Sequence, residues 1–281
     1  MPGRTTLAPA SRSVDVLVRH HVTVSGAQEL PTVVLVHGFG SDQTVWQPVV
    51  QQLGSRYRVV RYDLAGAGRS DVSAYDRSIE RHGTLHGHAQ DLLDVCDAHG
   101  LRGATLVGHS VSATVVALAA AARPDLASGL VLVAPSARYL DDPETGYVGG
   151  FSVEDVAELL VSLRHNYLAW SAVTAPMIMG NADRPELGER LAAAFCRTDP
   201  GVAAHFAQVL FTSDHRDDLA AVRARTLTLQ CRHDALAPPS AVGFVHDSVP
   251  GSTLLRMDAS GHCPHVSAPA ETARAIVGST G

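Results

Sequence analysis

The stretch TLVGHSVSATVVALAAAA, Thr105–Ala122, limits the available folds more than any other part of the chain. A short apolar run there meets an Ala- and Val-rich run with only Gly108-His109-Ser110 between them. The first run has the length and composition of a buried strand, the second those of a buried helix. A strand can turn that sharply into a helix only where small residues let the two pack closely. Gly108 meets the need on one side and Ser112 on the other, where the commoner pattern G-x-S-x-G has glycine. Such a turn strains the backbone at the middle serine and lifts its Oγ above the sheet edge. Taken alone, G-x-S-x-S also fits a buried turn serine with no chemical role.

Short apolar runs bounded by turn residues recur at Val14–Val18, Val22–Val24, Thr32–Val36, Tyr57–Tyr62, Ala104–Val107, Leu130–Ala134, Thr226–Gln230 and Thr253–Met257. The middle ones are apolar on both faces, as in a parallel sheet covered on two sides. Helical segments fall between them, at Val45–Leu53, His86–Ala98, Val111–Ala122, Ala237–Ser248 and Ala268–Val277. The alternation predicts an α/β chain with an open, mostly parallel, eight-stranded sheet and helices on both faces. It breaks between Asp141 and Thr212, where the sequence is helical throughout. Ser152 with Glu154 and Asp155, Asp183 with Pro185 and Glu186, and Asp199 with Pro200 mark three helix starts. A fourth helix covers Asn166–Met179. The division is therefore a core over 14–140 and 213–281, with a helical insertion over 141–212. Such an insertion is placed to cover the carboxyl edge of the sheet, where ligands bind in folds of this kind.

The 281 residues, 46% of them apolar, suffice for one large core with an insertion. All 22 basic residues are Arg, they are scattered, and the net charge is −6, so no basic stripe exists to meet nucleic acid. No run approaches the roughly 18 apolar residues of a membrane span. Residues 1–13 lack the apolar segment of a signal peptide and read as a frayed terminus. Cys96, Cys196, Cys231 and Cys263 are widely spaced without metal-ligand spacing, which predicts reduced thiols in a cytoplasmic protein.

A serine nucleophile needs a base, and the base needs an orienting acid. After a strand–turn–helix serine they are expected in the order Ser, acid, His, each just past a later strand. Cys231-Arg232-His233-Asp234 follows the strand ending at Gln230, and Asp258-Ala259-Ser260-Gly261-His262 follows the one ending at Met257. Ser110, Asp234 and His262 thus form a candidate triad. His265 is the rival base, Asp142 the back-up acid, and a helix cap the plain alternative for Asp234. Two backbone N–H groups are needed for the oxyanion; Val111 follows the nucleophile, and Phe39 lies in the Gly-flanked turn His37-Gly38-Phe39-Gly40. His82, His86, His88 and Asp91 also cluster, and H-x-H can hold a metal. At the start of a predicted helix they read instead as a solvated polar face, and no metal or other cofactor is expected. His20-His21 reads as an edge-strand pair without a partner.

With these residues in hand the chain resembles the RsbQ-like α/β-hydrolases, the branch that includes the plant karrikin and strigolactone receptors. The resemblance runs through HGFGSDQTVW (37–46), YDLAGAGRSD (62–71), GHSVSA (108–113), RPDLASGLVLVAPSARYLDD (123–142), GGF (149–151), FCRTDP (195–200), FTSDHRDDL (211–219), LQCRHDALAP (229–238) and GHCPH (261–265). It implies the same triad and oxyanion donors, a four-helix V-shaped lid over an apolar pocket, and slow hydrolysis of small hydrophobic esters or lactones. It also implies His109, Tyr139, Phe151, Tyr167, Trp170, Thr174, Phe195 and Phe211 as the pocket lining. Thr174 departs from the family's usual Phe. Three roles share this machinery: a metabolic ester or lactone hydrolase, a signalling hydrolase that controls a regulatory phosphatase as partner, and a tailoring hydrolase in biosynthesis. Dehalogenase chemistry needs Asp where this chain has Ser110.

Overall fold

The protein is described by a computed structural model over residues 15–280; the terminal stretch 1–13 and Val14 lie outside the described residues. One sheet runs through the core in the order β1-β3-β2-β4-β5-β6-β7. Its strands are β1 Thr23–Ser25, β2 Thr32–Val36, β3 Arg58–Tyr62, β4 Ala104–His109, β5 Ala127–Val133, β6 Arg225–Gln230 and β7 Thr253–Arg256. Only β1 is antiparallel to its neighbour, β3; every other pairing is parallel.

The sheet has seven strands among the described residues, not eight. The difference is the run Val14–Val18: residues 15–19 are helical (α1). Arg19 reaches back one turn to Asp15 at 2.6 Å, a pairing that a helix offers and a strand does not. A five-residue apolar run carries too little periodicity to separate the two.

Helices α2 Gln47–Leu53 and α11 Pro269–Ser279 cover one face of the sheet, and α3 Leu85–Ala98 and α4 Val111–Ala122 cover the other. Alternation along β2 serves both layers. Val33 and Leu35 pack with Trp46, Leu53 and Ile276, while Val34 and Val36 pack with Leu92 and Val115. Helix α4, built from Ala, Val and Leu, is buried from Val111 to Ala120, which explains its lack of a polar face. The chain reverses its direction across the sheet between β2 and β4, which lie side by side with Val36 paired to Gly108. Crevices open at such switch points, beyond the carboxyl ends of the strands. The turn after β2 and the turn after β4 therefore meet.

Four helices, α5 Val153–His165, α6 Tyr167–Met179, α7 Pro185–Phe195 and α8 Pro200–Thr212, follow β5. Two of the three marked starts form, at Ser152 and Asp199. Ser152 Oγ accepts the Asp155 N–H at 3.0 Å while the Asp155 carboxylate accepts the Ser152 N–H at 2.9 Å. Asn166 caps α6, and Asp199 caps α8 ahead of Pro200. Helix α7 differs: Asp183 does not cap it, Arg184 stands at the cap without a side-chain bond, and Pro185 opens the first turn. Aromatic side chains join these helices to the sheet edge. Phe39 packs against Trp170, Phe195 and Phe206, and Tyr139 against Phe211. The remaining helices are α9 Pro239–Ser248 and the short α10 Pro264–Ser267.

Candidate active site

Ser110 sits between β4 and α4 with φ 57° and ψ −125°, a conformation that side chains other than glycine rarely adopt. The turn is over-determined. The Ser110 N–H donates to the Val133 carbonyl at 2.8 Å, and its own carbonyl accepts the Ala113 N–H at 2.8 Å. A Cβ at position 108 would lie 2.1 Å from the Ser112 carbonyl oxygen, so only glycine allows this close approach. Gly108→Ala is expected to destabilise the protein by about 3 kcal/mol, the upper end of overpacking costs, because a backbone atom must move. Chemical denaturation should show a lower midpoint; an unchanged midpoint would mean that the turn yields freely. Ser112 stands where glycine is usual, and its Oγ donates to the His37 carbonyl and ties this turn to the one after β2.

His262 and Asp234 come from the loops after β7 and β6, neighbouring strands of the same sheet. Ser110 Oγ lies 2.7 Å from His262 Nε2, and His262 Nδ1 lies 2.9 and 2.8 Å from the two Asp234 oxygens. The carboxylate can only accept, so Nδ1 carries the proton and Nε2 is free to accept from the serine hydroxyl. Asp234 also accepts the N–H groups of Leu236 and Ala237 at 2.8 and 3.0 Å. It therefore accepts two loop N–H groups and holds the His262 imidazole at once. The imidazole and carboxylate side chains are 3% and 2% exposed, so water does not compete for the pair.

The two rivals lie elsewhere. Asp142 is bonded to Arg216 at 2.8 Å and approaches Arg138 at 3.4 Å. His265, on α10, packs its ring against Trp46 and His109 rather than against Ser110. Phe39 lies in the turn after β2, and Val111 follows Ser110 at the start of α4. Neither backbone N–H takes part in a turn or loop bond among the described residues. Gly40, at φ 70°, brings the Phe39 turn under the Phe195 ring; a Cβ there would lie 2.2 Å from that ring.

A cavity of about 60 Å³ opens beside Ser110 and His262. His109, Tyr139, Phe151, Trp170, Thr174, Phe195 and Phe211 line it, and so does Phe39. Tyr167 does not: its hydroxyl donates to the Phe195 carbonyl at 3.0 Å, and its ring stacks behind Trp170. The spacing Tyr167, Trp170, Thr174 marks one buried helix face, but the first turn of that face supports the wall instead of forming it. Leu159, Ile178, Leu191, Leu210 and Leu236 also line the cavity. The apolar helix faces hinted at the first four; Leu236 lies in the loop after β6, where nothing in the sequence marked it. Tyr139 Oη stands 3.3 Å from Ser110 Oγ, and burial pushes its phenol well above the usual range, so it stays neutral. His109 donates from Nε2 to the His262 carbonyl at 2.8 Å and so holds the His262 backbone in place.

The second histidine cluster is not a solvated face. His82, His88 and Asp91 are buried, while His86 is exposed on the surface beside His215 and Asp218. His82 Nδ1 accepts the Asp76 N–H at 2.9 Å, so its Nε2 holds the proton and donates to Asp91 at 2.8 Å. Arg81 pairs with the same carboxylate. A ring fixed in that tautomer offers no lone pair at the carboxylate, and the guanidinium already balances the charge. The donor set therefore suits an ion-pair network and fits a metal ion poorly. His88 stacks on Phe206 at 4.5 Å, and burial pushes its pKa down to about 3. His20 likewise departs from the edge-strand reading: it is buried and within 3.2 Å of the Asp63 carbonyl.

Comparison with known proteins points the same way. A karrikin insensitive 2 receptor of Petunia hybrida is 36% identical over 251 residues, covering 89% of this chain and 91% of the relative. A strigolactone esterase of Arabidopsis thaliana is 34% identical, with 85% and 88% covered. The structure of a hydrolase from Oleispira antarctica superposes with a TM-score of 0.90 at 32% identity, covering 95% and 96% of the two chains. Residues 33–275 match the alpha/beta hydrolase family, and the chain belongs to that family.

Proposed function

We propose that the protein is a serine hydrolase of small hydrophobic esters or lactones. Ser110 attacks the carbonyl, His262 takes its proton and returns it to the leaving group, Asp234 holds the imidazole, and the Phe39 and Val111 N–H groups receive the oxyanion. An acyl-enzyme forms on Ser110 and water releases it. The observation that carries this reading is the continuous set of hydrogen bonds from Ser110 Oγ through His262 to Asp234, opening into an apolar cavity. Likeness to a strigolactone esterase supports the substrate class. Residues 141–212 act as the lid, between core segments 14–140 and 213–281. No described helix is long and apolar enough to cross a membrane. Four free thiols, three of them buried, suit a reducing compartment, so we read the protein as cytoplasmic.

Thr174 tests the pocket. Apolar burial is worth about 25 cal/mol per Å², so a larger side chain there removes binding area from long acyl groups first. Thr174→Phe is expected to shift the preference among acetyl, butyryl and octanoyl p-nitrophenyl esters toward acetyl. An unchanged chain-length profile would remove Thr174 from the substrate's path. A uniform loss would instead indicate a displaced lid helix.

A receptor-type reading, with a regulatory phosphatase or other partner answering to the bound ligand, has one observation in its favour. Leu168 and Val173 on α6, apart from the cavity lining, are 61% and 76% exposed apolar side chains on the lid. A lactone that raises the melting temperature without being turned over would favour it.

A further inference from the structure

One wall of the cavity has a chemistry that acyl transfer at Ser110 does not use. His265 on α10 lines the cavity together with Ser41 and Val45, from the region after β2, and Val266. His265 is 1% exposed. A neutral imidazole carries one donor and one acceptor. Neither ring nitrogen of His265 has a hydrogen-bond partner among the described residues, and Nδ1 is sealed from solvent. Its ring neighbours do not supply one. Trp46, 4.5 Å away, has an unpartnered Nε1 of its own, and His109, 4.3 Å away, spends its proton on the His262 carbonyl. Buried polar groups are nearly always paired, and leaving one unpaired is costly. A leucine or phenylalanine would fill this wall without that cost. Ser41, also buried, donates to the Gly38 carbonyl at 3.1 Å, which leaves its oxygen able to accept. Burial lowers the His265 pKa to about 3, so the ring stays neutral and keeps both functions.

We propose that His265, assisted by Ser41, is a specificity-determining subsite that hydrogen-bonds an oxygen substituent of the substrate. The preferred substrates are then small esters or lactones bearing a hydroxyl or carbonyl oxygen, rather than plain alkyl ones. The inference rests on the hydrolase reading above. The substituent lies close to the reacting carbonyl, because the His262, His109 and His265 rings are contiguous at 4.9 and 4.3 Å.

The test compares γ-butyrolactone with its α-hydroxy and β-hydroxy derivatives. Binding is measured by calorimetry on Ser110→Ala, and hydrolysis on the wild type. One hydroxylactone is expected to bind about tenfold more tightly than the parent, the effect of one added hydrogen bond. The same lactone should show a similar advantage in kcat/KM. The preference should vanish in His265→Leu and return in part with His265→Gln, which keeps a donor and an acceptor. Absence of a hydroxyl preference in both measurements overturns the proposal, as does a preference that survives His265→Leu. If that variant does not fold, Ser41→Ala decides, and an unaltered preference there overturns the proposal. A hydroxyl preference in binding without turnover of any ester or lactone keeps the subsite and removes the hydrolase reading. Turnover of esters without hydroxyl preference does the reverse.

Discussion

Ser110→Ala is expected to lower ester turnover by on the order of 10⁴- to 10⁶-fold while leaving the protein folded. The substitution deletes one oxygen, and both backbone bonds of the turn, to the Val133 carbonyl and from the Ala113 N–H, remain available. Alanine keeps the Cβ already accommodated at φ 57°. Among the described residues, the lost oxygen is the only group at hydrogen-bonding distance from His262 Nε2. Residual turnover would come from substrate binding and the two oxyanion donors, which act without the nucleophile. Hydrolysis of p-nitrophenyl acetate measures the loss. A rate within tenfold of wild type would move the reaction away from Ser110. Circular dichroism and the melting temperature check the fold in the same preparation.

Asp234→Asn should cost about 10⁴-fold in kcat. The amide oxygen can still accept the Leu236 and Ala237 N–H groups, so the loop keeps its shape. What changes is the proton on His262. With an amide NH₂ turned toward the ring, Nδ1 must accept, the proton moves to Nε2, and the imidazole can no longer take a proton from Ser110. Turning the amide the other way leaves two donors facing the N–H groups of the loop. Substrate affinity should change little, because Asp234 does not line the cavity. Asp142→Asn is the matched control. Its carboxylate serves Arg138 and Arg216, so it should affect stability more than rate. A crippling loss from Asp142→Asn with a mild one from Asp234→Asn would reverse the assignment of the acid.

Much of this arrangement is legible in the sequence because its steric demands are local. Gly108 and Ser110 announce the turn, and Asp234 and His262 follow strands in the required order. Ser152 and Asp199 cap their helices through bonds that reach only three residues ahead. What is not legible depends on contacts that the local residue pattern does not select. The run at Val14–Val18 has no feature that selects helix over strand until Arg19 meets Asp15. Asp91 reads as a surface acid on an amphipathic helix, yet His82 and Arg81 fold over it. Tyr167 shares a helix face with Trp170, but the Phe195 carbonyl, 28 residues on, decides where its hydroxyl points. His265 reads as a rival base, and the local sign against it is Pro264, which starts a new turn before it. The packing of α10 against Trp46 and His109 assigns the two rings to different places.

The most direct measurement is the covalent one. A fluorophosphonate requires a serine activated by a neighbouring base, and tandem mass spectrometry of the digested adduct identifies the modified side chain. The expected result is one phosphonylated residue, Ser110, with esterase activity lost in proportion to labelling and no adduct in Ser110→Ala. Labelling at another serine, or full esterase activity in protein fully labelled elsewhere than Ser110, would contradict the assignment of Ser110 as the nucleophile.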